Sequence, residues 1–297
     1  MSWKIPLFKI FWDEDNINYV KDVISSGMNW AVGAYVEEFE RTISDYLGAK
    51  YTVAFNSGTS ALHAALLAHK IGPGDEVIVP SFTFIATANA PLFVGAKPVF
   101  ADIEEETLGL DPEDVNDRIS SRTKAIIPVH YGGCPCRIEE LKDMADDRKL
   151  VLIEDAAEAF GASVSHQKVG TFGSSAVLSF CQNKIITTGE GGAVVTNSKK
   201  IHERLRLIRS HGRDESGADY FLSVDSSRYV TLGYNFRLSN ILAALGVSQL
   251  KKVDWIIQER RAKAALYDSK LENLNHKVII PTLPTGYFHV YQLYTIR

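Results

Sequence analysis

Two apolar runs, Leu150-Val-Leu-Ile-Glu-Asp155 and Ala176-Val-Leu-Ser-Phe-Cys-Gln-Asn-Lys184, carry the fold of this chain. Each is short and unbroken, as a strand buried on both faces of a parallel sheet must be. Each also runs into charge. Ligands of open α/β sheets gather outside the carboxyl ends of strands, so the pattern aims an acid and an amine at one crevice. After Lys184 comes Ile185-Ile-Thr-Thr-Gly-Glu-Gly-Gly192, whose glycines permit positive φ and a close backbone approach to a bulky ligand. A constrained turn, not a helix, is expected there.

Pyridoxal phosphate (PLP) needs a lysine amine for a Schiff base and an acid that keeps its ring nitrogen protonated, so that the ring can act as an electron sink. Asp155 and Lys184 suit those two roles, and a buried Asp–Lys ion pair fits these two residues as well. Further upstream, Val53-Ala-Phe55 reads as a strand, Asn56-Ser-Gly-Thr-Ser60 as a tight turn and Ala61 to His69 as a helix. Such a turn offers N–H groups, hydroxyls and the positive end of the helix dipole to a phosphate. By itself it also reads as an N-cap.

Composition narrows the field. A chain of 297 residues, 45% apolar and 23% charged, is an ordinary soluble globular sequence with room for a large core. Its net charge of -4 gives no electrostatic case for nucleic acid or an anionic membrane surface. No run reaches membrane-spanning length and the N-terminus shows no signal-peptide core, so with three cysteines a reducing cytoplasm is expected. Cys134 and Cys136 have no second Cys/His pair at zinc spacing; no metal is expected, and both read as reduced loop thiols.

The remaining elements follow from periodicity and breakers. Helices are expected over Trp12 to Ile24, Glu37 to Leu47, Ile85 to Val94, Asp111 to Ile119, Ile138 to Asp147, Ser198 to Arg209, Leu238 to Leu250 and Val253 to Leu274. Strands are expected over Glu76 to Val79, Pro98 to Asp102 and Ala125 to Val129. This alternation implies a mainly parallel, doubly wound sheet. Phe84, at a strand-to-helix junction, could stack on a cofactor ring or belong to the core. His130 could line the site or serve as a hydrogen-bonded structural histidine. Residues 210–232 read as a long polar loop.

With these pieces in order, the chain resembles the DegT/DnrJ/EryC1/StrS family of sugar aminotransferases. The resemblance rests on Asn56-Ser-Gly-Thr-Ser-Ala61, Pro80-Ser-Phe-Thr-Phe-Ile-Ala-Thr-Ala-Asn89, Glu154-Asp-Ala-Ala157, Ser179-Phe-Cys-Gln-Asn-Lys184 with Thr188-Gly-Glu-Gly-Gly192, and Gly233-Tyr-Asn-Phe-Arg237. It implies an α/β PLP-dependent transferase of fold type I, similar to aspartate aminotransferase. Residues 1–30 would form an N-terminal arm and helix, 31–250 the large PLP-binding domain, and 251–297 a linking helix and the start of a small α/β domain. In that family roughly another 70–90 residues complete the small domain. The last strand here is therefore expected to leave apolar surface uncovered around Val278 to Pro281 and Phe288 to Leu293.

The same resemblance implies the site. Lys184 would hold the cofactor, Asp155 meet the pyridinium nitrogen, Gly58, Thr59 and Ser179 bind the phosphate, and Phe84 stack on the ring. Glu158 stands where many relatives carry His or Gln beside the cofactor's 3-hydroxyl. Asn235 would reach the phosphate of the other subunit in a homodimer with shared sites; without the resemblance it reads as a helix-flanking cap. The implied activity is transfer of an amino group, with glutamate as donor, to a keto group of a nucleotide-linked sugar. The alternatives are a related dehydratase that uses pyridoxamine phosphate, against which Lys184 speaks, and a catalytically silent homologue that binds cofactor or sugar nucleotide.

Overall fold

The computed structural model describes residues 4–214, 228–274 and 277–297. Two helices come first. α1 (Glu14–Ser25) opens on a capping box between Asp13 and Asn16, and α2 (Ala34–Leu47) closes on Gly48 at φ 77°. Strand and helix then alternate through β1 (Tyr51–Phe55), α3 (Gly58–Ala68), β2 (Glu76–Pro80), α4 (Ile85–Phe93), β3 (Lys97–Ala101), α5 (Pro112–Arg118), β4 (Thr123–Ile126), α6 (Ile138–Arg148) and β5 (Val151–Asp155). A small hairpin of β6 (Ser163–Val164) and β7 (Gln167–Lys168) precedes β8 (Ser175–Ser179) and β9 (Gly192–Thr196). Helices α7 (Lys199–Arg209), α8 (Asn240–Leu250) and α9 (Val253–Leu271) follow, and then β10 (Tyr287–Phe288).

Seven strands form one sheet in the order β1-β9-β8-β5-β4-β2-β3. β8, β5, β4, β2 and β3 are parallel, while β9 runs against both its neighbours, so β1 points the same way as β8. The mainly parallel sheet read from the sequence is present. The reversal of β9 is not written in its own apolar run; it follows from a connection between Ser179 and Gly192 that contains no helix to carry a parallel crossover.

Alternate residues of each strand enter opposite cores, which is why the runs are apolar throughout. On β5 Leu152 and Ile153 divide in this way, as do Leu178 and Val177 on β8. α3, α4 and α7 cover one face; α2, α6, α8 and the start of α9 cover the other. On the second face Phe39 of α2 meets Phe180 edge-on with centroids 5.0 Å apart. Gly246 of α8 faces the same ring, and a Cβ there would come within 2.5 Å of it.

Several boundaries differ from expectation. β4 stops at Ile126, with only an isolated bridge from Val129 to Asp155, and α8 begins at Asn240 behind its Ser239 cap. The end of the chain is the larger correction. β10 pairs antiparallel with β6, and Val290 is fully buried in the core that α9 also enters. The backbone there finds partners at a glycine turn: Val290 N–H donates to Gly133 O at 3.1 Å and Leu293 N–H to Gly132 O at 2.9 Å. Uncovered apolar surface remains at Ile279, which is 54% exposed, but not at Val290. Most of the polar loop read over 210–232 lies outside the described residues. Among the described residues no helix is long and apolar enough to cross a membrane.

Candidate active site

β1, β2, β4, β5 and β8 share one direction, so their carboxyl ends line one edge of the sheet. Along that edge lie the turn before α3, Phe82 to Phe84 before α4, His130 to Gly132 after β4, Asp155 to Glu158 after β5, and Ser179 to Lys184 after β8. The topology thus gathers what the sequence scatters.

Neighbouring strand residues point to opposite faces, which separates Glu154 from Asp155. Glu154 is fully buried and accepts four hydrogen bonds. Oε1 receives the Phe172 and Gly173 N–H groups, both at 2.8 Å, and Oε2 receives Gly170 N–H at 2.7 Å and His130 Nε2 at 3.0 Å. His130 Nδ1 accepts Cys136 N–H at 3.1 Å, so the proton of the neutral ring sits on Nε2. His130 is therefore structural and does not line the crevice. Cys134 and Cys136 are free and buried, and burial pushes the Cys134 thiol up to about 12, which makes it a poor nucleophile.

Asp155 turns the other way. Only 4% exposed, it accepts Thr87 Oγ1 at 2.8 Å and Ala157 N–H at 3.2 Å. Burial pushes its carboxyl above the ordinary range, opposed by the Thr87 hydroxyl, the Ala157 N–H and the charge of Lys184. Lys184 follows β8 in a turn closed by its own N–H on Cys181 O at 3.0 Å. Its Nζ stands 3.3 Å from Glu158 Oε1, and Glu158 Oε2 accepts Gly132 N–H at 2.8 Å. The carboxylate at ion-pair distance from the amine is thus Glu158, and the simple Asp155–Lys184 pair is not formed.

The edge also holds a cradle for an anion. Ser57 caps α3, its hydroxyl accepting Ser60 N–H at 3.1 Å, and the first-turn N–H groups of Gly58 and Thr59 have no intrahelical acceptor. A Cβ on Gly58 would come within 3.2 Å of Ser179 Oγ, and one on Gly192 within 2.4 Å of Ser57 O. Glycine at both positions lets β8, β9 and the start of α3 close around one point. Helix dipole, free N–H groups and the Ser179 hydroxyl suit a phosphate dianion. With a buried acid and a lysine on neighbouring strand ends, the residues present fit PLP.

Phe84 is the N-cap of α4 and 75% exposed, so it is not a core aromatic. Its carbonyl accepts Thr87 N–H at 3.1 Å, which sets it one helical turn from the residue that holds Asp155. Asn235 is exposed, and its carbonyl lies 3.4 Å from Asn56 Nδ2, beside the turn that opens α3 in its own chain. It does not cap α8, which is the work of Ser239. Thr87 and Glu154 are the residues that sequence reasoning misses. A lone hydroxyl in the helical run Ile85-Ala-Thr-Ala-Asn89 was the available signal for the first.

Residues 11–297 match the sequence model of the DegT/DnrJ/EryC1/StrS aminotransferase family. The chain is 41% identical over 285 residues to the GDP-perosamine synthase of Caulobacter vibrioides, covering 96% of this chain and 75% of that protein. It is 35% identical over 300 residues to the spore coat polysaccharide biosynthesis protein SpsC of Bacillus subtilis, covering 100% of this chain and 75% of that protein. Among solved structures it superposes on Helicobacter pylori PseC, an aminotransferase involved in the biosynthesis of pseudoaminic acid. The TM-score is 0.90 at 33% identity, over 98% of this chain and 76% of that one.

Proposed function

The chain belongs to the DegT/DnrJ/EryC1/StrS aminotransferase family, and from that premise we propose that it moves an amino group from glutamate to the keto group of a nucleotide-linked sugar, with PLP as cofactor. One observation carries the proposal: a buried Asp155 and a recessed Lys184 follow adjacent strand ends, beside the glycine-lined N-terminus of α3. The sugar class is supported by the GDP-perosamine synthases among the relatives.

When bound, PLP supplies the electron sink that makes the carbon bearing the amino group acidic. In this reading Asp155 holds the proton on the ring nitrogen. The amine of Lys184 would serve as the general base at that carbon, placed by its short turn. Glu158 keeps the waiting amine in the crevice through the 3.3 Å contact. Gly58, Thr59 and Ser179 bind the phosphate, and Phe84 covers a ring face. Residues 31–250 form the cofactor-binding domain, and 251–297 lead into the small one.

Asn235 reaches the phosphate of a second subunit. Large exposed apolar side chains at Trp30, Ile85, Leu92, Phe93 and Leu232 support a homodimer, in which a partner would cover them. The activity is tested by incubating the PLP-loaded protein with glutamate and a panel of nucleotide-linked keto-sugars, following 2-oxoglutarate and the amino-sugar together. Stoichiometric appearance of both is expected. Bound cofactor without any amino-sugar product, whatever the donor, would favour the silent homologue instead.

A further inference from the structure

The carboxylate of Asp155 receives one side-chain hydrogen bond, from Thr87 Oγ1 at 2.8 Å, across 68 positions of sequence. Behind it, Thr83 Oγ1 lies 2.9 Å from Thr87 Oγ1. A hydroxyl has one proton and an ionised carboxylate can only accept, so with Asp155 ionised Thr87 donates to it and accepts from Thr83. The line therefore has a direction, from Thr83 to Thr87 to Asp155.

Two features set this apart from ordinary helix packing. Within a helix a threonine hydroxyl commonly bonds back to the carbonyl four residues earlier, but Thr87 bonds to another element. It is also 1% exposed in an alanine-lined part of α4, with Ala86 and Ala88 buried on either side, so no water competes for the contact. α4 begins at Ile85 behind its Phe84 cap, so one turn carries both that exposed aromatic and the donor to Asp155.

We propose that Thr87, backed by Thr83, is a positioning residue that keeps the Asp155 carboxylate ionised and turned so that its free lone pairs meet the ring nitrogen of the cofactor. The inference rests on the reading above, in which Asp155 faces that nitrogen. Burial by itself favours the neutral acid, and a neutral acid cannot hold the ring's proton by charge. The Thr87 hydroxyl works against burial, because it bonds the charged form more strongly than the neutral one.

The test uses Thr87→Val, nearly the same shape without the hydroxyl, and Thr87→Ser, which restores it. In protein without added cofactor, the Asp155 carboxyl is titrated by carbon NMR with labelled aspartate, its signal identified by its loss in Asp155→Asn. The midpoint should move to higher pH in Thr87→Val and stay near wild type in Thr87→Ser. With PLP added, Thr87→Val should lose about tenfold to a hundredfold in kcat with a displaced pH profile of the visible absorption, and Thr87→Ser should recover both. An unmoved midpoint in folded Thr87→Val overturns the proposal. Should that variant fail to fold, Thr83→Val takes its place: a raised midpoint supports the line of hydroxyls, and an unchanged one overturns it. The titration does not depend on turnover. An inactive wild-type protein would count against the proposed function alone, and an unmoved midpoint in an active one against Thr87 alone.

Discussion

Asp155→Asn keeps the size of the side chain but removes the charge that would hold a proton on the cofactor ring. The variant should retain PLP through Lys184 and the α3 cradle and lose roughly a hundredfold or more in transamination rate. Near wild-type turnover would reduce Asp155 to a structural partner. Glu154 is predicted to behave differently, since its four donors are all structural. Glu154→Leu strands buried N–H groups at about 1–3 kcal/mol each, so urea unfolding should show a loss of several kcal/mol. An unchanged unfolding midpoint would contradict that role. The strand ends near which Asp155 and Lys184 stand were legible in the sequence, because each closes an apolar run. Thr87 and the separate duties of Glu154 were not, since both depend on partners brought in by the fold.

At the scale of elements, the contact between α2 and α8 depends on Gly246, where any Cβ collides with Phe39. Gly246→Ala should gain a little helix propensity and lose more through overpacking, a net cost of about 1–3 kcal/mol measured in urea. A variant as stable as wild type would mean that the ring moves aside freely. Most helices and the main strands could be read from periodicity, because the two cores make the strands apolar throughout and the helices apolar on one stripe. Neither β9, with its reversed direction, nor the two-residue strands β6, β7 and β10 were read. The direction of the first is set by a connection, and the others are too short to carry a pattern. The burial of Val290 was not foreseen because its cover comes from elements far earlier in the chain.

For the whole molecule, acid stability is set in part by two imidazoles. Burial lowers His69 and His289 from 6.5 to about 4. Between those values the unfolded chain binds protons there that the folded chain refuses, so stability is lost as pH falls from 6.5 towards 4, by up to about 3 kcal/mol each. Cofactor-free protein should therefore lose stability in urea between pH 7 and pH 5. The double variant His69→Gln, His289→Gln should lose less, and an identical fall would remove these groups from the account. Assembly is tested by mixing Asn235→Ala with Lys184→Ala. If Asn235 acts across a dimer interface, one site of each mixed dimer carries neither lesion, and activity should return after subunit exchange. No gain after verified exchange would put Asn235 in its own subunit's site or in none. The central claim is that Lys184 carries the cofactor. Its most direct test is borohydride reduction of the PLP-supplied protein followed by peptide mass mapping. The account predicts the pyridoxyl mass on the peptide containing Lys184; that mass on another lysine, or on none, would contradict it.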